Sequence, residues 1–187
     1  SLAATYFNDA SQARYTAPGM GTILQGNDGG LGSQIGHTNS LPGGGGGGSA
    51  TGGGNAQPGT KGGNGGSGTA SSITGTPVTR AGGGAGGGED HTGGTGGSGG
   101  GGNGASGNGS GNNATINTGS GGGGASSTHT NVYVGGTGGS GIVILRWATA
   151  DATIGATRTG LVDGNVQTDG SDSYIVFTGG EGDITFS

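Results

Sequence analysis

The sequence has no cysteine, so neither a disulfide nor a thiolate-bound metal holds its fold. Aromatic residues make up 4% and charged residues 8% of its 187 positions. Between Tyr15 and Tyr133 there is no Phe, Tyr or Trp, which excludes an ordinary hydrophobic core across the middle of the chain. Proline occurs four times, too rarely for collagen, whose Gly-X-Y repeat needs it in quantity. The five basic residues are spread over Arg14, Lys61, Arg80, Arg146 and Arg158, and the net charge is -5. Phosphate binding needs clustered Lys and Arg, so nucleic acid is not an expected partner. No apolar run is long enough to cross a bilayer and no signal-peptide pattern is present, so no membrane insertion is expected. The chain starts at Ser1 rather than Met, which reads as a piece of a longer or processed polypeptide.

What the chain does have is glycine, at 58 positions, and the glycines are phased. GGNGGSG fills Gly62 to Gly68, GGGAGGG fills Gly82 to Gly88, and GGTGGSG occurs at Gly93 to Gly99 and again at Gly135 to Gly141. Unbroken glycine fills Gly43 to Gly48 and Gly121 to Gly124. The unit is Gly-Gly-x, with a period of three. By composition alone such a polymer is a flexible linker, because fixing a backbone costs about 1–2 kcal/mol per residue and glycine loses most. If these runs are ordered, the hydrophobic effect is not the main term.

The polyproline-II conformation meets the requirement. It has about three residues per turn and no internal hydrogen bonds, so every N–H and C=O must find a partner on a neighbouring run. Runs can approach closely only where Cβ is missing. Three residues per turn make three edges. Two are bare and face neighbours, while the third carries Asn64, Ser67, Thr95, Ser98, Thr137 or Ser140 outward. A run surrounded on all sides needs glycine on every edge, which predicts Gly43 to Gly48 and Gly121 to Gly124 at the centre. The interruptions at Asn55 to Lys61, Glu89 to Thr92 and Ala125 to Val134 are expected at one end. Those at Thr69 to Ala81 and Asn103 to Thr118 are expected at the other, unless the last hides a further run.

The flanks differ from the middle. Residues 1–42 carry the aromatics Tyr6, Phe7 and Tyr15 and scattered Ile23, Leu24, Leu31 and Ile35 without a clean period, and read as a connecting segment. Residues 43–141 form the glycine bundle. From 142 to 187 a small β module is expected. Ile142 to Trp147 and Tyr174 to Thr178 are β-branched strands, the first covered on both faces. A turn at Gly179 to Gly182 leads to Asp183 to Phe186, a third strand in a hairpin with the second. Val162 and Val166 suggest a weaker strand pair, and Trp147 and the tail aromatics read as core. This module is too small to stand alone and should pack on the bundle or on a partner chain. The predicted fold class is therefore irregular/all-β: a bundle of polyglycine-II helices with a small C-terminal β-strand module and no α-helical core.

Gly138 to Gly141 followed by Ile142-Val143-Ile144-Leu145-Arg146-Trp147 resembles the closing motif of glycine-rich domains in phage tail and virion-associated proteins, with Trp147 where those usually carry Tyr. Pro77-Val78-Thr79-Arg80, Asn117-Thr118-Gly119 and the ending Phe177 to Phe186 are similar to the same group. The bundle also resembles the polyglycine-II adhesins that cap tail fibres of T-even-like phages. The resemblance implies a protein of the virion surface, outside the host cell. Its partners would be other virion subunits, in a homotrimer or as a single copy, and a host cell-surface glycan or protein contacted by loops at one end.

No cofactor or metal site is expected, and no nucleophile, base and orienter set is legible, so the chain is read as no enzyme. Glu89-Asp90-His91 is the one dense ionisable cluster in the glycine region, and an exposed solubilising turn is its plain reading. Asn131, Tyr133 and His129 lie in the one inter-run loop with an aromatic, a composition suited to adaptable recognition. These six are the candidate receptor contacts. A purely structural decoration or fibre-joining role is the alternative. An ice-binding face built in part from Thr95, Ser98, Thr137 and Ser140 is a further one.

Overall fold

A computed structural model describes residues 14–22, 25–34, 41–127, 131, 133–155 and 158–187. Tyr6, Phe7, Ile23, Leu24, Ile35 and His129 lie outside them. Among the described residues there is no helix, only short strands and irregular backbone, so the fold is irregular/all-β without an α-helical core.

The glycine segments are extended runs joined sideways, and the bonds recur every third residue. Gly43 and Gly46 donate to the carbonyls of Gly87 and Gly84 at 3.0 and 2.8 Å, and Ser49 continues the ladder to Ala81. Gly62, Gly65 and Gly68 donate to Thr92, Thr95 and Ser98 at 2.8–2.9 Å. A β-ladder repeats every second residue; a repeat of three is that of a polyproline-II-type helix. Ten such runs follow one another: g1 (28–33), g2 (42–49), g3 (51–57), g4 (61–68), g5 (81–88), g6 (92–98), g7 (101–106), g8 (109–115), g9 (119–126) and g10 (134–140). The register of the bonds shows that direction reverses at each step. Residues 28–33, expected in the connecting segment, belong to the bundle: Gly30 donates to Gly45, and Gly53 and Ala56 donate to Asp28 and Leu31.

The centre is g5, not g2 or g9. Gly82 to Gly88 are all buried, whereas Gly46 is exposed and Gly121, Gly122 and Gly124 are half-buried. Run g5 bonds to five neighbours: g2, g4, g6, g7 and g9. Number of neighbours, set by chain order, decides centrality; an unbroken glycine string does not. Ala85 is tolerated at the centre because it faces Gly94, where an added Cβ would stand 3.0 Å from its own. Most other positions of g5 admit no Cβ: at Gly83, Gly84 and Gly86 it would lie 1.9–2.1 Å from a neighbouring carbonyl oxygen.

Asn64, Thr95, Ser98, Thr137 and Ser140 are exposed, and Ser67 is half-buried. Several side chains of this outer row replace a missing neighbour. Asn64 Oδ1 accepts the Thr95 N–H at 2.9 Å, Asn103 Oδ1 that of Gly96 at 2.8 Å, and Asn113 Oδ1 that of Thr137 at 2.8 Å. An amide side chain thus stands where a further run would have offered its carbonyl.

Short strands flank the runs. β1 (Arg14–Thr16) pairs with β2 (Gly32–Gln34), and β3 (Thr69–Ser71) pairs with β4 (Val78–Arg80) in the hairpin between g4 and g5. The C-terminal sheet contains β5 (Val143–Ala148), β6 (Leu161–Asp163), β7 (Gln167–Asp169) and β8 (Asp172–Gly180), with β8 antiparallel to the other three. The expected hairpin between β8 and Asp183 to Phe186 does not form. β8 runs on through Gly179 and Gly180 to pair with β6, and only Phe186 bridges back, to Ile154. Val166 lies just outside β7. The core is Ile154, Ile175 and Phe177, with Leu145, Trp147, Leu161 and Ile184 packed against it. Two expectations need correction. β5 is not covered on both faces, since Val143 is 58% exposed. Trp147 is half-buried, its Nε1 donating to the Ala152 carbonyl at 2.9 Å and its ring meeting Phe186 edge-on at 5.3 Å. A single thin sheet has too little apolar side chain to enclose a whole indole.

The sheet docks on the β3–β4 hairpin through Arg146. Its guanidinium donates to Asp169 and Asp172 at 2.8 Å each and to the Ile73 carbonyl at 3.0 Å. Those two carboxylates raise the Arg146 pKa above its ordinary value by hydrogen bonding. Gly75, at φ 89, turns the hairpin so close to Asp169 that an added Cβ would lie 2.9 Å from its carboxyl carbon.

Candidate functional site

Strict reversal of the runs gives the bundle two unlike ends. At one end lie the reversals 49–51, 98–100 and 116–119, the β3–β4 hairpin, and the exit of g10 into β5. At the other lie the reversals 57–61, 89–91 and 107–108, the end of g9 and the start of g10. The reversal at 98–100 is not legible as an interruption, because the glycine pattern runs through it, whereas Ser49-Ala50-Thr51 does break the pattern and is a further reversal beyond the five expected. Asn103 to Thr118 does hide a run, g8, so its two turns lie at opposite ends.

The candidate contacts among the described residues, Glu89, Asp90, His91, Asn131 and Tyr133, gather at the end away from the sheet. Glu89 closes g5 in the left-handed region, at φ 54, a conformation that costs a non-glycine residue about 1–2 kcal/mol. Two bonds hold it there. Its carbonyl accepts the Ser126 hydroxyl at 2.7 Å, and its carboxylate accepts the Leu41 N–H. Asp90 stands exposed at the tip. His91 is half-buried; its N–H donates to Gly88 and its carbonyl accepts the Gly107 N–H, both at 3.0 Å. Asn131 is exposed and its carbonyl accepts the Ser127 hydroxyl, while Tyr133 is half-buried. Because g5 and g9 are neighbours, the 89–91 turn lies beside the end of g9, and the Ser126–Glu89 bond ties the two together. Ser126 carries that connection without any sequence signal to single it out. Among the described residues no three of His, Cys, Asp and Glu come together in a way that would hold a metal ion.

A groove of about 780 Å³ starts beside this end and runs along g5 between g2 and g9. Glu89, Leu41 and Ser127 stand at its mouth, and glycines of the three runs make its walls.

No curated protein and no solved structure matches the chain significantly. The model of a family described as glycine-rich domain matches residues 4–148, which takes in all ten runs and β5. The chain therefore belongs to this glycine-rich domain family.

Proposed function

We propose that the chain is a virion appendage protein, a tail-fibre or spike tip whose bundle presents polar loops to a host surface. The observation that carries this reading is the polarity of the bundle. One end is occupied by the β module, docked through Arg146 on the β3–β4 hairpin. The other presents Asp90 and Asn131 in solvent on a base fixed by backbone ladders. Loops on a rigid scaffold are the usual site of recognition, and the resemblance to phage tail proteins supplies the setting, with a glycan or protein of the host surface as the ligand. Thr95 and Ser98 lie on g6, while Thr137 and Ser140 lie on g10. The two runs share no bond and no neighbour: g6 bonds to g4, g5 and g7, and g10 bonds to g8 and g9. They do not form one regular face, which favours the loop reading over ice binding.

The test is binding of the isolated chain to whole host cells and to a glycan array. Asp90→Ala combined with Tyr133→Ala should abolish binding while leaving circular dichroism unchanged. Binding that survives the double substitution, or an absence of binding by the intact chain, overturns the reading.

A further inference from the structure

The two outer edges of the C-terminal sheet are unlike. β8 is the middle strand, and its Ser173, Ile175 and Phe177 are buried. On one side of it lie β6 and β7, each three residues long and each ending on an aspartate, Asp163 or Asp169. Short strands that carry charge do not template further pairing. On the other side lies β5 alone, six residues of sequence VILRWA. None of the six is buried. β5 pairs with β8 along its whole length, and no other backbone bond among the described residues reaches Val143 to Trp147.

The devices that guard an exposed edge are missing from β5. It has no proline, no lysine and no bulge. Arg146 is its only charge, and that guanidinium is spent on Asp169, Asp172 and the Ile73 carbonyl. The β3–β4 hairpin does not cover the edge either. It meets Arg146 through Ile73 and Asp169 of β7 through Gly75, so it crosses one face of the sheet from β5 to beyond β8.

β5 is also complementary to itself. Turned antiparallel about Leu145, the strand sets Val143 opposite the copy's Trp147, Leu145 opposite its own equivalent and Ile144 opposite the copy's Arg146. Val143, Leu145 and Trp147 share the face of Phe177, Ile175 and Ser173, and this register keeps that face common to both copies. Val143 is 58% exposed and Trp147 is half-buried, so each covers what the other leaves bare. The core of Ile154, Ile175 and Phe177 is small for a module on its own, and two such cores side by side make a wider apolar layer.

We propose that β5 is the joining edge for a second copy of this chain, giving a symmetric dimer with one continuous sheet in the order β6-β8-β5-β5-β8-β6. The patch is matched by itself across a two-fold axis, so association closes at two copies. β5 leaves the bundle after Gly141, and antiparallel pairing therefore sends the two bundles to opposite ends. The turns that carry Asp90 and Asn131 then stand at the two extremes, whatever they bind.

Sedimentation equilibrium of the intact chain should give twice the monomer mass, falling to one on dilution. Val143→Lys removes both Val143–Trp147 pairs of the dimer at a position exposed in the monomer, and should weaken association about tenfold with circular dichroism unchanged. The chain has no cysteine, so a single one reports its own neighbourhood. Leu145→Cys lies on the two-fold axis, where facing Cβ atoms stand about 5 Å apart, and oxidation with copper phenanthroline should link two copies. Val162→Cys, equally exposed on the opposite edge, should stay unlinked. A monomer at every concentration, association unchanged in Val143→Lys, or linkage at position 162 equal to that at 145 overturns the proposal. So does a mass that climbs past two copies with concentration, which makes the contact an open chain rather than a closed pair.

Discussion

Gly84 and Gly122 are in backbone contact across g5 and g9: a Cβ on Gly84 would stand 1.9 Å from the Gly122 carbonyl oxygen. The same close approach recurs through the bundle, and it lets lateral bonds of about 0.5–1.5 kcal/mol each take the place of an apolar interior. Gly84→Ala should therefore cost about 3 kcal/mol or more, the upper range of overpacking, because the obstacle is rigid backbone on both sides. Gly141→Ala has no atom within 4 Å of the new methyl and should be neutral or stabilising by about 0.4–1 kcal/mol. Denaturant unfolding of both variants measures the difference. Equal effects would show that the runs are not packed at this spacing.

The outer row makes a different prediction. Asn64 accepts the Thr95 N–H, and alanine at 64 leaves that amide to solvent. The site is exposed, so water replaces most of the lost bond and the cost should be about 0.5–1 kcal/mol. Thr95→Val keeps the backbone donor and should cost less than Asn64→Ala. Exchange at the Thr95 amide should quicken in Asn64→Ala alone. If it quickens equally in both variants, the side-chain cap is not what protects it.

The period of three was legible because each run carries it locally: GGNGGSG and GGTGGSG mark their own outward residues, Asn64, Thr95 and Ser98 among them. The centre was not, because burial of Gly82 to Gly88 depends on how many runs arrive later in the chain. In the sheet, Ile144 and Ile175 belong to strands with β-branched signals, and both strands were found. Val162 and Val166 point to weak strands near β6 and β7, but Gln167, Thr168 and Asp169 of β7 have no apolar alternation, so the pairing of both with β8 is not legible. At the candidate site, Glu89, Asp90 and His91 were conspicuous as the one break in a long glycine stretch. Ser126, which fixes them from 37 residues away, looks like any other serine in this sequence.

Ser126 is 3% exposed, and its hydroxyl is what joins the turn at Glu89 to the end of g9. Ser126→Ala leaves a carbonyl of a left-handed residue without that donor, and should cost about 1–2 kcal/mol. Its more telling effect is local. Exchange at the His91 amide should speed up, while the Gly62 amide, bonded to the neighbouring run at Thr92, keeps its protection. If host-surface binding depends on the two loops being held together, Ser126→Ala should weaken it without touching either loop tip. Uniform loss of protection along g5 and g9 would instead mean that the hydroxyl supports the whole bundle.

The heat capacity of unfolding separates this architecture from an ordinary core. Exposing apolar surface raises it by about 0.45 cal/K/mol per Å², and exposing polar surface lowers it by about 0.26. Of the buried hydrophobic residues Ala56, Ala85, Ala105, Ala114, Ile154, Ile175 and Phe177, four are alanine and the three larger ones belong to the C-terminal module. Unfolding the bundle therefore exposes peptide groups and little else. Its heat capacity change should fall well below the ordinary value of about 12 cal/mol/K per residue, nearer half of it. A small value flattens the stability curve, so the chain should lose little stability on cooling, where proteins held by apolar burial weaken. Differential scanning calorimetry across a range of denaturant concentrations measures the slope of enthalpy against melting temperature. A slope in the ordinary range would mean that apolar surface, rather than backbone held against backbone, keeps the runs together.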